Sequence, residues 1–257
     1  MERPKYLEYR HRRDQITRFT ISREVKATLE KPAAKLLRLV GKKMSASNDS
    51  YKEELTMELR VSDVRPDWTG LVKSQVAKAA RFVGGEEVGY EGLSDPTTEF
   101  LNETVNRFGQ LSDISGTLPT PHLLLFPDEP KVTGEEWTRT RKEMLPKTGP
   151  DGLKGGHEPM DVTYRCRVDA YGDEGVEYAD ISITGAGSRG SKEASDLQEY
   201  EVGGTVRFAI RDGHILHATI ARQMKSYFDV YILTTLNLEE YQYSEQDTEQ
   251  AVGGMRL

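Results

Sequence analysis

The chain has 257 residues, is 36% hydrophobic and 30% charged, and carries a formal net charge of −7. It is long enough to bury a core as one domain or two, and no apolar run approaches the roughly eighteen residues of a membrane helix, so no membrane span is expected. Cys166 is the single cysteine, which excludes an internal disulfide, and the acidic balance without a recognition motif argues against nucleic acid as a partner.

Met1-Glu2-Arg3-Pro4-Lys5 leads into charged residues rather than an apolar stretch. The sequence as it stands reads as cytoplasmic, with an exported mature form as the alternative. Residues 1–43 hold thirteen Lys and Arg against five Asp and Glu, so this part is basic and the remainder strongly acidic. Such asymmetry suits an acidic partner surface, either within this chain or on another protein.

Tyr6 to Arg13 and Ile16 to Lys26 read as a strand pair around Asp14-Gln15. Glu30 to Met44 is the best helix candidate. Pro32 fits its first turn, and Ala33, Leu36, Leu37 and Val40 share a stripe flanked by Lys35, Arg38, Lys42 and Lys43. Those four basic residues are the candidate partner-binding set. Leu55, Met57, Leu59 and Val61 alternate with polar residues, the period of two of a strand with one buried face. Asp67-Trp68-Thr69-Gly70 turns, and Leu71 to Ala77 returns. Asp95-Pro96 before Thr97 to Val105 reads as a capped short helix, with a strand from Phe100 as the alternative, and Phe108-Gly109-Gln110-Leu111 makes another turn.

The segment 117–136 has prolines at 119, 121, 127 and 130 punctuating an apolar run. It is expected to pack in extended form across a sheet edge, because proline is excluded from central strands. Gly134 to Leu145 opens the second unit as a strand. The glycines of 147–159 mark a loop and a second candidate boundary. Val162, Tyr164, Cys166 and Val168 form an alternating row, with Cys166 a buried structural thiol rather than a nucleophile. Val176, Tyr178, Ile181 and Ile183 change parity near Ala179, which predicts a bulge there. Gly185 to Tyr200 is a polar connection. Val206, Phe208 and Ile210 form a strand, Asp212-Gly213 a hairpin turn, and Ile215 to Ile220 returns. Lys225 to Leu238 is predicted as a long final strand, and Glu239 to Leu257 as an acidic tail.

Matching Leu55 to Val162, Gly70 to Gly175 and Gly109 to Gly213 gives offsets of 107, 105 and 104, the mark of a duplicated unit. The predicted fold is mainly β: two related, curved antiparallel units, half-barrel-like, with one or two short helices. The first unit spans 1–116, the Pro-rich link 117–136, the second unit 137–241 and the tail 242–257.

Chemistry is sparse. Gly185-Ala186-Gly187-Ser188-Arg189-Gly190 spells a dinucleotide fingerprint, but the preceding strand alternates and no good helix follows, so it reads as a hairpin connection. His214 and His217 fall on opposite faces of a strand and cannot share an ion. No cofactor, metal site or catalytic constellation is expected. The aromatics Tyr164, Tyr178, Phe208 and Phe228 are the candidate lining for an apolar ligand in a curved sheet.

Val105-Asn106-Arg107-Phe108-Gly109-Gln110-Leu111, and Pro127-Asp128-Glu129-Pro130 running on to Gly134-Glu135-Glu136-Trp137, complete the picture. With these segments the chain resembles a group of uncharacterised bacterial, mostly exported β-proteins built of paired curved-sheet units. The likeness covers about Tyr6 to Tyr241, with an inserted Lys131 and no export signal as departures. It implies the two-unit architecture and carries no activity. The expected function is non-catalytic binding or scaffolding through sheet faces, edges and charged ends, with a protein partner or self-association. The alternatives are a carrier of a lipid-like ligand in a half-barrel cavity and a carboxylate-based hydrolase.

Overall fold

A computed structural model describes residues 3–30, 50–90, 95–116, 121–148, 154–191, 193, 196–228 and 232–244. The alternating rows do become strands: β1 (Ile16–Glu30), β2 (Ser50–Val64), β3 (Gly70–Val83), β4 (Glu86–Val88), β5 (Phe100–Val105) and β6 (Leu111–Gly116) in the first half. The second half holds β7 (Glu136–Thr148), β8 (Lys154–Asp173), β9 (Glu177–Arg189), β10 (Gln198–Ala209), β11 (His214–Tyr227) and β12 (Ile232–Ser244). Among the described residues, helix is confined to one 3₁₀ turn, Pro96–Thr98, capped by the Asp95 side chain. The strand alternative from Phe100 is the one adopted for the rest of that segment.

All strands join one nearly closed, barrel-like antiparallel sheet in the order β6-β5-β3-β2-β1-β12-β11-β10-β9-β8-β7, with β4 attached to β3. The first and last strands of the chain pair centrally, from Arg18↔Ser244 to Glu30↔Ile232. The two halves repeat one order: β1-β2-β3-β5-β6 matches β7-β8-β9-β10-β11. The spare strand, β12, lies between β11 and β1.

The inward rows are those expected. Leu55, Met57, Leu59 and Val61 are buried, as are Val162, Tyr164, Cys166 and Val168. Each fully buried aliphatic or aromatic side chain contributes about 1.5–3 kcal/mol of transfer free energy. The Pro-rich segment does not lie across a sheet edge. Pro121 to Pro127 are buried inside the barrel, and Leu124, Leu125 and Phe126 are fully enclosed. Prolines cannot donate to a ladder, so this segment leaves the sheet and fills its interior. Phe126 packs there against Tyr9 and Phe208, with ring centroids 5.1 and 4.7 Å away.

Several boundaries differ from the sequence reading. Tyr6 to Arg13 is not a strand partner of β1. Asp14 turns at φ 60, and β1 pairs instead with β2 and β12. Leu7, Tyr9 and His11 point inward, and Tyr9 N and Arg10 N donate to Arg107 O and Gly213 O, so the segment ties two hairpin turns together. The bulge near Ala179 sits on the partner strand, between Val168 and Ala170, and Ala179-Ile181-Ile183 is one unbroken buried row. Asp212-Gly213 closes a four-residue loop, 210–213, in which only Gly213 has positive φ. Residues 185–189 and 198–200 are strand, so the connection shortens to 190–197. Residues 147–148 and 154–159, expected as loop, lie in the paired strands β7 and β8. The stretch 225–238 is split between β11 and β12. Glu239 to Ser244 continue β12 instead of starting a tail. The helix expected at 30–44 and the tail beyond Ser244 lie outside the described residues.

Candidate functional site

Strand parity places charged side chains inside the barrel wall. In β1 the inward row runs Phe19, Ile21, Arg23, Val25. Across the sheet, Arg81 of β3 lies opposite Glu53, Glu53 opposite Arg23, and Arg23 opposite Glu239. The four make a ladder of alternating charge through the junction of the two halves. Arg23 Nε donates to Glu53 Oε2 at 3.0 Å. Arg222 of β11 donates to Glu239, which also accepts from Tyr241 Oη at 2.7 Å. Arg81 stacks its guanidinium 4.0 Å over the Tyr51 ring, and its Nε has no hydrogen-bond partner.

A second group lies beside it. Arg141 of β7 donates through Nε to Glu143 at 2.9 Å, and Tyr164 Oη donates to the same carboxylate at 2.6 Å. Arg141 Nη1 reaches His122 O at 2.6 Å, so β7 is tied to the internal segment by a side chain rather than by a ladder. Burial pulls the Arg141 and Arg222 guanidinium groups down, but Glu143 and Glu239 more than offset it and both end above the usual arginine value. Burial pushes Tyr200 up to about 12, with Arg222 opposing and Glu143 and Glu239 adding to the rise, so this phenol feels both groups. Together they form a polar belt above the apolar core. Buried pairs of this kind add little net stability, since desolvation consumes most of the attraction, but removing one partner leaves a costly buried charge.

The belt borders an opening. The strand path has eleven members, all antiparallel to their neighbours, and ends at β6 on one side and β7 on the other. An odd number makes these two edges run in the same direction, and they are not hydrogen-bonded to one another. At this seam a cavity of about 60 Å³ is lined by Leu101, Glu103, Ile114, Met144, Tyr200 and Arg222, among others. Its rim is apolar and its floor is the belt. Glu103 is 3% exposed; its Oε1 meets His122 Nδ1 at 2.6 Å, and its Oε2 has no hydrogen-bond partner. A second cavity, about 40 Å³, lies near the strand turns and is lined by His11, His122 and His214. A wider groove of about 730 Å³ crosses the outer face over β1, β2 and β12, with Glu24, Glu54 and Glu240 on its walls.

The structure scatters the aromatics proposed as a ligand lining. Tyr164 is in the belt. Phe208 is sealed in the core against Tyr9 and Phe126. Tyr178 faces outward under Arg207, whose guanidinium carbon lies 4.0 Å from the ring centroid. Phe228 is half-buried just beyond β11. Lys35, Arg38, Lys42 and Lys43 lie outside the described residues. Gly185 and Gly187 of the fingerprint are strand positions packed against Tyr164 and Val162, and no helix follows them among the described residues. Among those residues no group of three His, Cys, Asp or Glu is arranged to hold a metal ion.

The belt itself was missed in the sequence, although a signal existed. Arg23, Glu53 and Arg222 each occupy the inward parity of an otherwise largely apolar row, whereas Arg141 shares its row with Arg139 and Glu143. No protein-family model matches the chain, and no curated protein matches it.

Proposed function

We propose that this is a non-catalytic binding protein that receives its partner at the seam between β6 and β7. The observation that supports this reading is the strand parity. Two edges running in the same direction cannot close an all-antiparallel wall, so backbone donors and acceptors face outward along both lips. Ile114 and Met144 at the rim offer apolar surface to bury, and Met144 is 37% exposed.

The other two readings find less support. A carrier of a lipid-like ligand needs an empty interior. Here the chain's own Leu123 to Phe126 occupy it, and cavities of about 60 and 40 Å³ hold a few water molecules at most. A carboxylate hydrolase needs two acids facing each other, whereas Glu53, Glu143 and Glu239 each face an arginine.

The test is capture of partners from native lysate by the intact protein and by Met144→Arg, with light scattering for self-association. The reading expects a stoichiometric partner, or a dimer, that the variant loses while keeping its circular dichroism spectrum. A strict monomer that captures nothing, or a partner retained fully by the variant, overturns it.

A further inference from the structure

The duplication says what is missing at the seam. In the second half the chain climbs β11, then descends as β12, antiparallel to both β11 and β1. In the first half it climbs β6 and must likewise descend to reach the start of β7. That descending segment carries Pro121, Pro127 and Pro130 and is drawn inside the barrel, with Phe126 N donating to Phe108 O and Trp137 Nε1 to Leu125 O. The place between β6 and β7 that corresponds to β12 therefore holds no strand among the described residues, while both flanking edges run in the directions that a descending strand would need.

A second, independent observation comes from the cavity floor. Glu103 Oε2 is a buried acceptor without a donor. An unmet buried carboxylate oxygen is unfavourable by several times the net value of an ordinary hydrogen bond, so it points to a donor supplied from elsewhere. The cavity beside it, about 60 Å³, is the size of two water molecules, or of the hydroxyl and methyl of one small side chain. Arg222 also borders it and is engaged through Nη1 alone, with Glu239 and Tyr241.

We propose that the seam takes one extended segment of a partner polypeptide as an added strand. The segment runs antiparallel to both β6 and β7, and a serine or threonine on its inward face donates its hydroxyl to Glu103 Oε2. This rests on the binding reading above and gives it a partner class. Strand addition takes its affinity from main-chain hydrogen bonds and its selectivity from pockets for alternate side chains. The lips are guarded against indiscriminate pairing. Pro146 ends the useful edge of β7, Lys142 is charged, and Asp113 at φ 52 kinks β6. That leaves a short docking length, about residues 111–116 on one side and 140–145 on the other.

The duplication also supplies a probe. A fluorescein-labelled synthetic peptide with the sequence of β12, Ile232 to Ser244, is titrated into the whole protein by anisotropy, and hydrogen–deuterium exchange locates it. Saturable binding is expected, with new amide protection in both 111–116 and 140–145. A peptide carrying Thr234→Val, Thr235→Val and Ser244→Ala, which lacks a serine or threonine hydroxyl on either face, is expected to bind about tenfold more weakly, the value of a hydrogen bond to a charged group. No binding, or protection confined to other edges such as 86–88, overturns strand addition. If Met144→Arg still abolishes partner capture in that case, the seam-binding reading survives without it. Equal affinity of the two peptides overturns the hydroxyl assignment.

Discussion

Arg23 and Glu239 stand directly opposite each other across the ladder that joins the first strand of the chain to the last. Arg23 belongs to the first half and Glu239 to the second, and both face the barrel interior. Each is also paired within its own half, Arg23 with Glu53 and Glu239 with Arg222. The contact between the halves is thus the middle of a charge ladder rather than an apolar seam. A one-residue slip of β12 would turn Glu239 and the buried Tyr241 outward and bring Glu240 inward, so the register is held by the whole inward row of that strand rather than by the charge ladder alone.

Arg23→Met should therefore destabilise strongly, by about 3–5 kcal/mol, because buried Glu53 would lose the guanidinium it is paired with, while Glu239 keeps Arg222. Adding Glu53→Leu should recover much of the loss, since replacing a whole buried pair by apolar groups is often close to neutral. Urea denaturation of the two variants and the parent measures both effects. A single variant within 1 kcal/mol of the parent would mean that water reaches the ladder.

His11 gives a pH dependence of calculable sign. Burial, with His122 adding to it, lowers its value from 6.5 to about 3. The unfolded chain therefore binds a proton between those values that the folded chain does not. Stability from this group is complete above pH 6.5 and falls as pH drops towards 3, by up to about 1.4 kcal/mol per pH unit. Other groups titrate in the same range, so the quantity to follow is the difference between the parent and His11→Phe. That difference should change steadily from pH 6.5 down to pH 3 and be flat above pH 7; a flat difference throughout would show that His11 titrates normally in the folded state.

Gly109 and Gly213, which occupy matching turns in the repeated strand order, β5–β6 and β10–β11, should be equally intolerant of alanine. Both have positive φ, 81 and 69. An added Cβ would lie 2.2 Å from Leu124 O at Gly109 and 2.3 Å from Arg10 N at Gly213. Conformational strain of about 1–2 kcal/mol combines with displacement of buried backbone at each site. Thermal melting should show losses beyond about 2 kcal/mol for either variant. A smaller loss at Gly213 would indicate that the N-terminal segment lifts away easily.

Cys166 should be silent to thiol reagents in the native protein. Burial raises its thiol to about 12, against a weaker lowering by the Leu125 backbone, so almost no thiolate exists at neutral pH. Labelling with a chromogenic disulfide should follow global unfolding in urea, with coincident midpoints. Rapid labelling in buffer would reveal opening of the barrel wall around β8.

Much of the wall was legible in the residues. Leu55 to Val61 and Val162 to Val168 alternate cleanly because each strand has one face against a core, and glycines at 109, 175 and 213 mark true turns. The site was less legible. Glu103 and His122 are nineteen residues apart, and nothing local signals their contact. Arg222 and Glu239 fell on either side of an assumed long strand, so their pairing was hidden by a misplaced boundary.

Local pattern, then, determined which residues form strands and which face of each is buried, because side-chain alternation and turn chemistry are properties of neighbours in sequence. Tertiary structure alone decided that the first and last strands pair, that the Pro-rich segment turns inward, and that eleven strands leave one seam unclosed. Those outcomes depend on strand order and on the competition of distant segments for the same interior, which no short stretch of sequence records.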